Sequence, residues 1–228
     1  CGLSVGLVFG LFNGALTAYL GISLFIVTLG TQFIILGLRY WITSGNIIMF
    51  LPETYTIIGN GKVFSIHNTI IIMAALAVVC YFLMERTVFG RRVSSIGGNI
   101  TASWLSCIKI RKHTMLTFVM GGLFASVTGI LHTAHMEVVS VDIGDGFLLD
   151  ALIIAVFSVV VYGRMKTLGV ILITVIIVSL TNGLTMMGVN PFYVKFVKGL
   201  LLLGALSINM AMQSEYFINR MYKGKAQT

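Results

Sequence analysis

The chain has 228 residues, 57% of them apolar and 10% charged, with a mean hydropathy of +1.00. Soluble domains carry about 25% charged residues, so this composition excludes a water-soluble globule and makes the bilayer the solvent. The net charge of +8 then belongs to basic loops facing anionic lipid headgroups and a partner, not to nucleic-acid binding.

A helix needs about 20 mostly apolar residues to cross a bilayer. Seven windows meet that requirement: 1–20, 22–40, 68–84, 114–134, 147–162, 167–187 and 194–212. The expected fold is all-α, a polytopic transmembrane bundle of about seven spans forming a single domain over 1–228. The first window has neither a basic n-region nor a cleavage site, and it reads as a span entered midway. It carries Gly6, Gly10 and Gly14 at a spacing that lets two helix backbones approach closely. The connection 41–67 is long for a membrane bundle. Its Leu51-Pro52-Glu53 and Gly59-Asn60-Gly61 segments predict a short extracytoplasmic helix or re-entrant piece. Prolines occur only at 52 and 191, both between windows, where helices should stop.

Residues 85–113 form the one long polar, basic connection, with Arg86, Arg91, Arg92, Lys109, Arg111 and Lys112. Short loops rich in Lys and Arg stay on the cytoplasmic side. Placing this loop inside sets every other loop by alternation. Only Arg39, Lys62, Lys195 and Lys198 of the fifteen Lys and Arg then fall outside the internal segments. Arg164, Lys166, Arg220, Lys223 and Lys225 join the inner group, so the later spans agree with the earlier ones. Glu53, Glu137, Asp142, Asp145 and Asp150 collect toward the outer side.

The fourth window repeats the small-residue spacing at Gly121, Ala125 and Gly129, predicting a second close helix contact. His132, His135 and Glu137 follow, but no H-E-x-x-H occurs and the spacing gives no metal site. The cysteines, Cys1, Cys80 and Cys107, have no motif spacing and imply no disulfide framework. Asp150 near the outer end of the fifth window fits a structural or capping role, or a substrate contact. Lys195 and Lys198 open the last window, where their long side chains can snorkel to the interface.

Several segments, in order, resemble the ribose/xylose/arabinose family of ATP-binding-cassette (ABC) permeases, which includes autoinducer importers. They are Asn13-Gly14, then Phe25-Ile26-Val27-Thr28-Leu29-Gly30 with Arg39, then Leu51-Pro52-Glu53. Thr87-Val88-Phe89-Gly90-Arg91 followed by Ile96-Gly97-Gly98-Asn99 resembles the family's coupling region. Gly144 to Ala151, Asn182-Gly183, Gly188-Val189, Pro191-Phe192 and Lys198-Gly199 complete the series. The family fold has about ten helices, each of about 20 apolar residues, so the resemblance implies further spans ahead of residue 1. It also implies a second permease subunit as a homo- or heterodimer, cytoplasmic ATPase subunits, an extracytoplasmic sugar-binding protein, and a place in the bacterial inner membrane.

On this reading Gly97 and Gly98 supply a turn and Asn99 caps a short cytoplasmic helix to Cys107. Trp104 and Leu105 on that helix would enter a groove of the ATPase; the bland alternative is a solvated basic loop. Asn13, Gln32 and Asn182 are polar residues within spans, suited equally to a sugar pathway and to interhelical hydrogen bonds. Phe25 and Thr28 are further lining candidates. No G-x-x-x-x-G-K-[ST] motif is present and no nucleophile–base pair is evident, so the chain is expected to have no catalytic residues and no cofactor, ATP being hydrolysed by a partner. Two departures stand out: Ile100 to Cys107 where the family has acidic and alanine residues, and a shortened glycine- and serine-rich stretch at 156–164. They leave open a transport-inactive membrane scaffold, or the divergent half of a heterodimeric permease.

Overall fold

A computed structural model describes the chain apart from residues 50, 64, 65, 164, 165 and 226–228, and apart from the side chains of 53, 54, 62, 63, 66, 191 and 211–225. Arg164 and the side chains of Glu53, Lys62, Arg220, Lys223 and Lys225, all used in the charge map, lie outside the described residues. The helices are α1 (Gly2–Leu20), α2 (Leu24–Thr43), α3 (Glu53–Asn60), α4 (Asn68–Tyr81), α5 (Val88–Gly98), α6 (Ile100–Leu105), α7 (Ile110–Met136), α8 (Asp145–Tyr162), α9 (Thr167–Met186) and α10 (Pro191–Lys225). A two-residue antiparallel pair, β1 (Lys62–Val63) with β2 (Ile66–His67), joins α3 to α4. Among the described residues, seven helices are long and apolar enough to cross a membrane: Gly2–Leu20, Leu24–Thr43, Asn68–Arg86, Ile110–Met136, Asp145–Tyr162, Thr167–Met186 and Phe192–Met210. These coincide with the seven windows to within a few residues. The protein is an all-α, multi-pass membrane bundle.

The chain forms two compact units, Cys1–Gly144 and Asp145–Thr228. In the first, α1 lies directly against α7. The surface of α1 at Gly6, Gly10 and Gly14 meets Met115, Phe118, Gly122 and Ser126. A Cβ at Gly10 would stand 2.8 Å from the Phe118 carbonyl oxygen, and one at Gly14 3.2 Å from the Met115 backbone. Lipid removes the hydrophobic drive between helices, so this backbone proximity is what holds the pair. The second expected contact takes a different form. Gly122, not Gly121, faces α1, while a Cβ at Gly121 or Gly129 would meet nothing within 4 Å. The two stripes lie on adjacent faces of α7, one position apart, and only one of them is a packing face.

The 41–67 connection folds back as expected. Pro52 precedes α3, and α3 lies on α7 so closely that a Cβ at Gly59 would be 2.5 Å from the Ala134 carbonyl carbon. The Tyr55 hydroxyl reaches the Ile130 carbonyl at 3.0 Å and the Thr133 hydroxyl at 2.6 Å. Asn60 bonds His135 and Glu137 at 2.9 and 2.8 Å. Those two side chains are thus occupied in tying α3 to the end of α7. Among the described residues, no group of three or more His, Cys, Asp or Glu is arranged to hold a metal ion.

The second unit has a small core of Ile153, Ile173 and Ile177, with Ile154, Phe157, Leu201 and Leu202 packed on it. Asp150 and Lys198 form an ion pair between α8 and α10, Nζ to Oδ1 at 2.6 Å. Asp150 is the sixth residue of α8, beyond the first turn where a carboxylate caps a helix. Lys198 therefore has a partner within the bundle instead of snorkelling outward. Large apolar side chains such as Phe25, Phe33, Val175 and Phe196 remain exposed, as a lipid-facing surface requires.

Candidate functional site

The first unit encloses a groove of about 1010 Å³, lined chiefly by α1, α2 and α7. Its α7 wall runs from Thr114 to Thr133. At about 1.5 Å per residue this is roughly 28 Å, close to the thickness of a bilayer's hydrocarbon core. Gly121, Ala125 and Gly129 all line the groove. Their small side chains keep it open, which accounts for the stripe of α7 that touches no other helix. Pockets that admit small organic molecules span roughly 300–1,000 Å³, so the space suffices for a small solute.

Polar groups are set sparsely along this wall. Asn13 and Thr28 line it near its middle and inner part. The Thr31 hydroxyl, itself buried, donates to the Asn13 side-chain carbonyl and joins α1 to α2. Arg39, Tyr55, Thr133 and Ser140 line the end near α3, where a guanidinium N–H of Arg39 donates to the Val141 carbonyl. Of the other residues named from the sequence, Phe25 is 68% exposed and does not line the groove. Gln32 is half-buried and does not line the groove; Asn182 belongs to the second unit and is exposed. The sequence pattern does not single out Thr31, Arg39 or Tyr55 for this groove. Thr31 carries a weak signal, its position four residues after Val27 on the polar edge of its span; Tyr55 carries none.

The opposite end of the groove is bounded by Val93, Ile96 and Gly97 of α5. Thr87 caps α5, its hydroxyl accepting from the Gly90 N–H at 3.3 Å. Gly90 is buried against the Met84 backbone, leaving no room for a Cβ. The segment 88–98 is thus a helix where a loop was expected. Gly97 and Gly98 end it in ordinary right-handed geometry, since neither is among the positive-φ residues, so they do not form the anticipated turn. The chain bends instead at Asn99 (φ −157°, ψ 108°), whose side chain accepts from the Ala102 N–H at 2.9 Å and caps α6.

The helix α6 is bound firmly to the chain entering α7. The Ile108 N–H returns to the Ser103 carbonyl at 3.2 Å, Ser103 is buried, and Cys107 adopts φ 55° at the corner between the two helices. On α7, buried His113 stacks on Phe89 of α5 with ring centroids 6.0 Å apart. Its Nδ1 lies 2.8 Å from the Lys109 carbonyl. With α6 thus tied to α7, Trp104 and Leu105 project away at 69% and 70% exposure. Two large apolar side chains thus stand exposed on a short capped helix amid a basic segment.

Comparison with known proteins supplies the family. A family model described as the permease component of branched-chain amino acid transport systems matches residues 1–206. The chain belongs to this permease family. The permease is similar to the galactose/methyl galactoside import permease of Haemophilus influenzae, 29% identical over 90% of this chain and 64% of that protein. It is similar also to the ribose import permease of Bacillus subtilis, 32% identical over 86% of this chain and 62% of that protein. The xylose transport permease of Haemophilus influenzae is 27% identical over 91% and 72%. The permease therefore spans less than two thirds of the length of the first two relatives. These likenesses place it with the sugar-type ABC permeases. No solved structure matches it.

Proposed function

We propose that this chain is a transmembrane permease domain of an ABC importer that moves a monosaccharide or sugar-like solute across the bacterial cytoplasmic membrane. Cytoplasmic ATPase subunits would dock on Trp104 and Leu105 and supply the energy. An extracytoplasmic sugar-binding protein would deliver the solute, and a second permease subunit would complete the pathway. The observation that carries the reading is that α7 holds both functional parts. Its length lines the groove, and its cytoplasmic end is joined through Cys107 and Ser103 to the exposed knob of α6. Closure of an ATPase around the knob would move α6, and the linked α7 would shift one wall of the groove. Because the interior is close-packed, such a push favours one of two discrete arrangements, inward- or outward-open. The named substrates of the relatives, galactose, ribose and xylose, favour a monosaccharide over the amino acids in the family's description. Gly97, Gly98 and Asn99 belong to the coupling segment on this reading, and Asn13 and Thr28 to the pathway.

The test is reconstitution in proteoliposomes with the cognate ATPase and sugar-binding protein. Ribose, galactose, xylose and allose are each supplied to the binding protein. One of them should raise ATP hydrolysis and accumulate inside. Assembly of the complex without sugar-stimulated hydrolysis would replace the importer reading with that of an inactive scaffold.

A further inference from the structure

A short strap of chain lies at the α3 end of the groove, the outer end on the charge map. Glu137 turns the chain off α7 with φ 58°, and its carboxylate accepts from the Asn60 side chain at 2.8 Å. Beyond it, Val139, Ser140 and Ile143 line the groove. The strap thus starts from the α7 wall, and its fastenings lie on α2 and on the chain just after it. Val139 and Ile48 exchange both backbone hydrogen bonds, each at 3.0 Å. A guanidinium N–H of Arg39 donates to the Val141 carbonyl, and the Tyr40 hydroxyl donates to Asp142 Oδ1 at 3.3 Å.

These fastenings differ in kind from the contact between α1 and α7. There, backbone lies on backbone, and neither helix can give way without parting from the other. The strap is held by hydrogen bonds, and of its residues only Val141 is buried. At a water-facing end, such bonds exchange for bonds to water at little net cost. Arg39 lines the groove and also grips the strap, so it belongs to both the wall and its closure.

We propose that residues 138–143 are an outer lid of the groove and that Arg39 is its latch. A solute enters when the Arg39–Val141 bond and the Ile48–Val139 pairing part, and the strap closes again behind it. The inference rests on the importer reading, which gives the lid a solute to admit.

The experiment uses the complete transporter with Cys1, Cys80 and Cys107 replaced by serine. A directly opposed, hydrogen-bonded pair has Cα atoms about 5.5 Å apart, within the roughly 4.4–6.8 Å that a disulfide spans. Ile48→Cys combined with Val139→Cys should therefore bridge under oxidant. In proteoliposomes, bridging should cut sugar uptake about tenfold and reductant should return it, as for a lid that opens in each cycle. Undiminished uptake with the bridge formed would overturn the inference while the importer reading stood. Failure to bridge would show that the strap is not seated beside α2 and would overturn it as well. A second arm needs no transport. Ala125→Cys, in the groove wall, is labelled with an impermeant maleimide added to intact cells. The bridge should slow that labelling about tenfold, and Arg39→Met without the bridge should speed it by about as much. An unchanged rate in either variant would overturn the part it tests, the lid or the latch. If the wild type moves none of the four sugars, the importer reading fails, and the labelling rates alone decide whether the strap closes the groove.

Discussion

Gly10 and Gly121 are the same residue type on facing helices, yet they have opposite tasks. Gly10 is buried, and a Cβ there would press on the Phe118 backbone at 2.8 Å. Backbone cannot turn aside as a flexible side chain can, so a larger residue must part the helices. Gly10→Leu should therefore lower the melting midpoint of the purified protein in detergent by about 5 °C, in line with overpacking costs of roughly 1–3 kcal/mol. Gly121 borders the groove, with nothing within 4 Å of an added Cβ. Gly121→Leu should melt like the wild type but obstruct sugar uptake, because the new side chain fills the space a solute would need. Equal loss of stability in both variants would show that the Gly121 face also packs against a helix.

At the scale of elements, the polar connection between the third and fourth spans is where pattern and structure diverge most. Phe89, Val93, Ile96 and Gly97 recur at helical spacing, with Arg91, Ser94 and Ser95 on the other side. That is an amphipathic helix in outline, but three glycines and the basic residues gave it the composition of a loop. Gly90 has a tertiary reason, the Met84 backbone, that no local pattern contains. The long apolar spans were legible because their signal is length and hydropathy, set by the bilayer alone. Asn99 was legible because capping is local chemistry. The groove was not, because it depends on which face of α7 meets α1, and Gly121 and Gly122 are indistinguishable in sequence. The cap gives the proposed coupling role of α6 its test. With six residues, α6 is too short to persist unaided, so Asn99→Ala, which costs about 1 kcal/mol, should loosen it. Together with Trp104→Asp, it should weaken co-purification of the ATPase about tenfold and abolish sugar-stimulated hydrolysis. Gly98→Val should do neither, since Gly98 has right-handed helical geometry and open space around its Cα. Full ATPase binding by Trp104→Asp would mean the partner docks elsewhere.

For the molecule as a whole, the sidedness of the membrane crossing follows from charge, and its weak point is parity. One misjudged span would reverse every loop after it. The two compact units therefore each need their own reporter, and the native Cys1, Cys80 and Cys107 must first become serine. Gly59, in the outer connection, is a poor place for a reporter because it is buried against Ala134 and His135. Trp41, 80% exposed at the end of α2, serves the first unit, and exposed Asn190 between α9 and α10 serves the second. Arg91 on the exposed side of α5 reports the inner face. Cysteines at Trp41 and Asn190 should react with an impermeant maleimide added to intact cells, and one at Arg91 only after permeabilisation. Labelling at Trp41 but not at Asn190 would mean that α8 or α9 does not cross, despite their length and hydropathy. Labelling at Arg91 in intact cells would put the Trp104 knob on the outer face, out of reach of ATP, and the coupling assignment would fall with the topology.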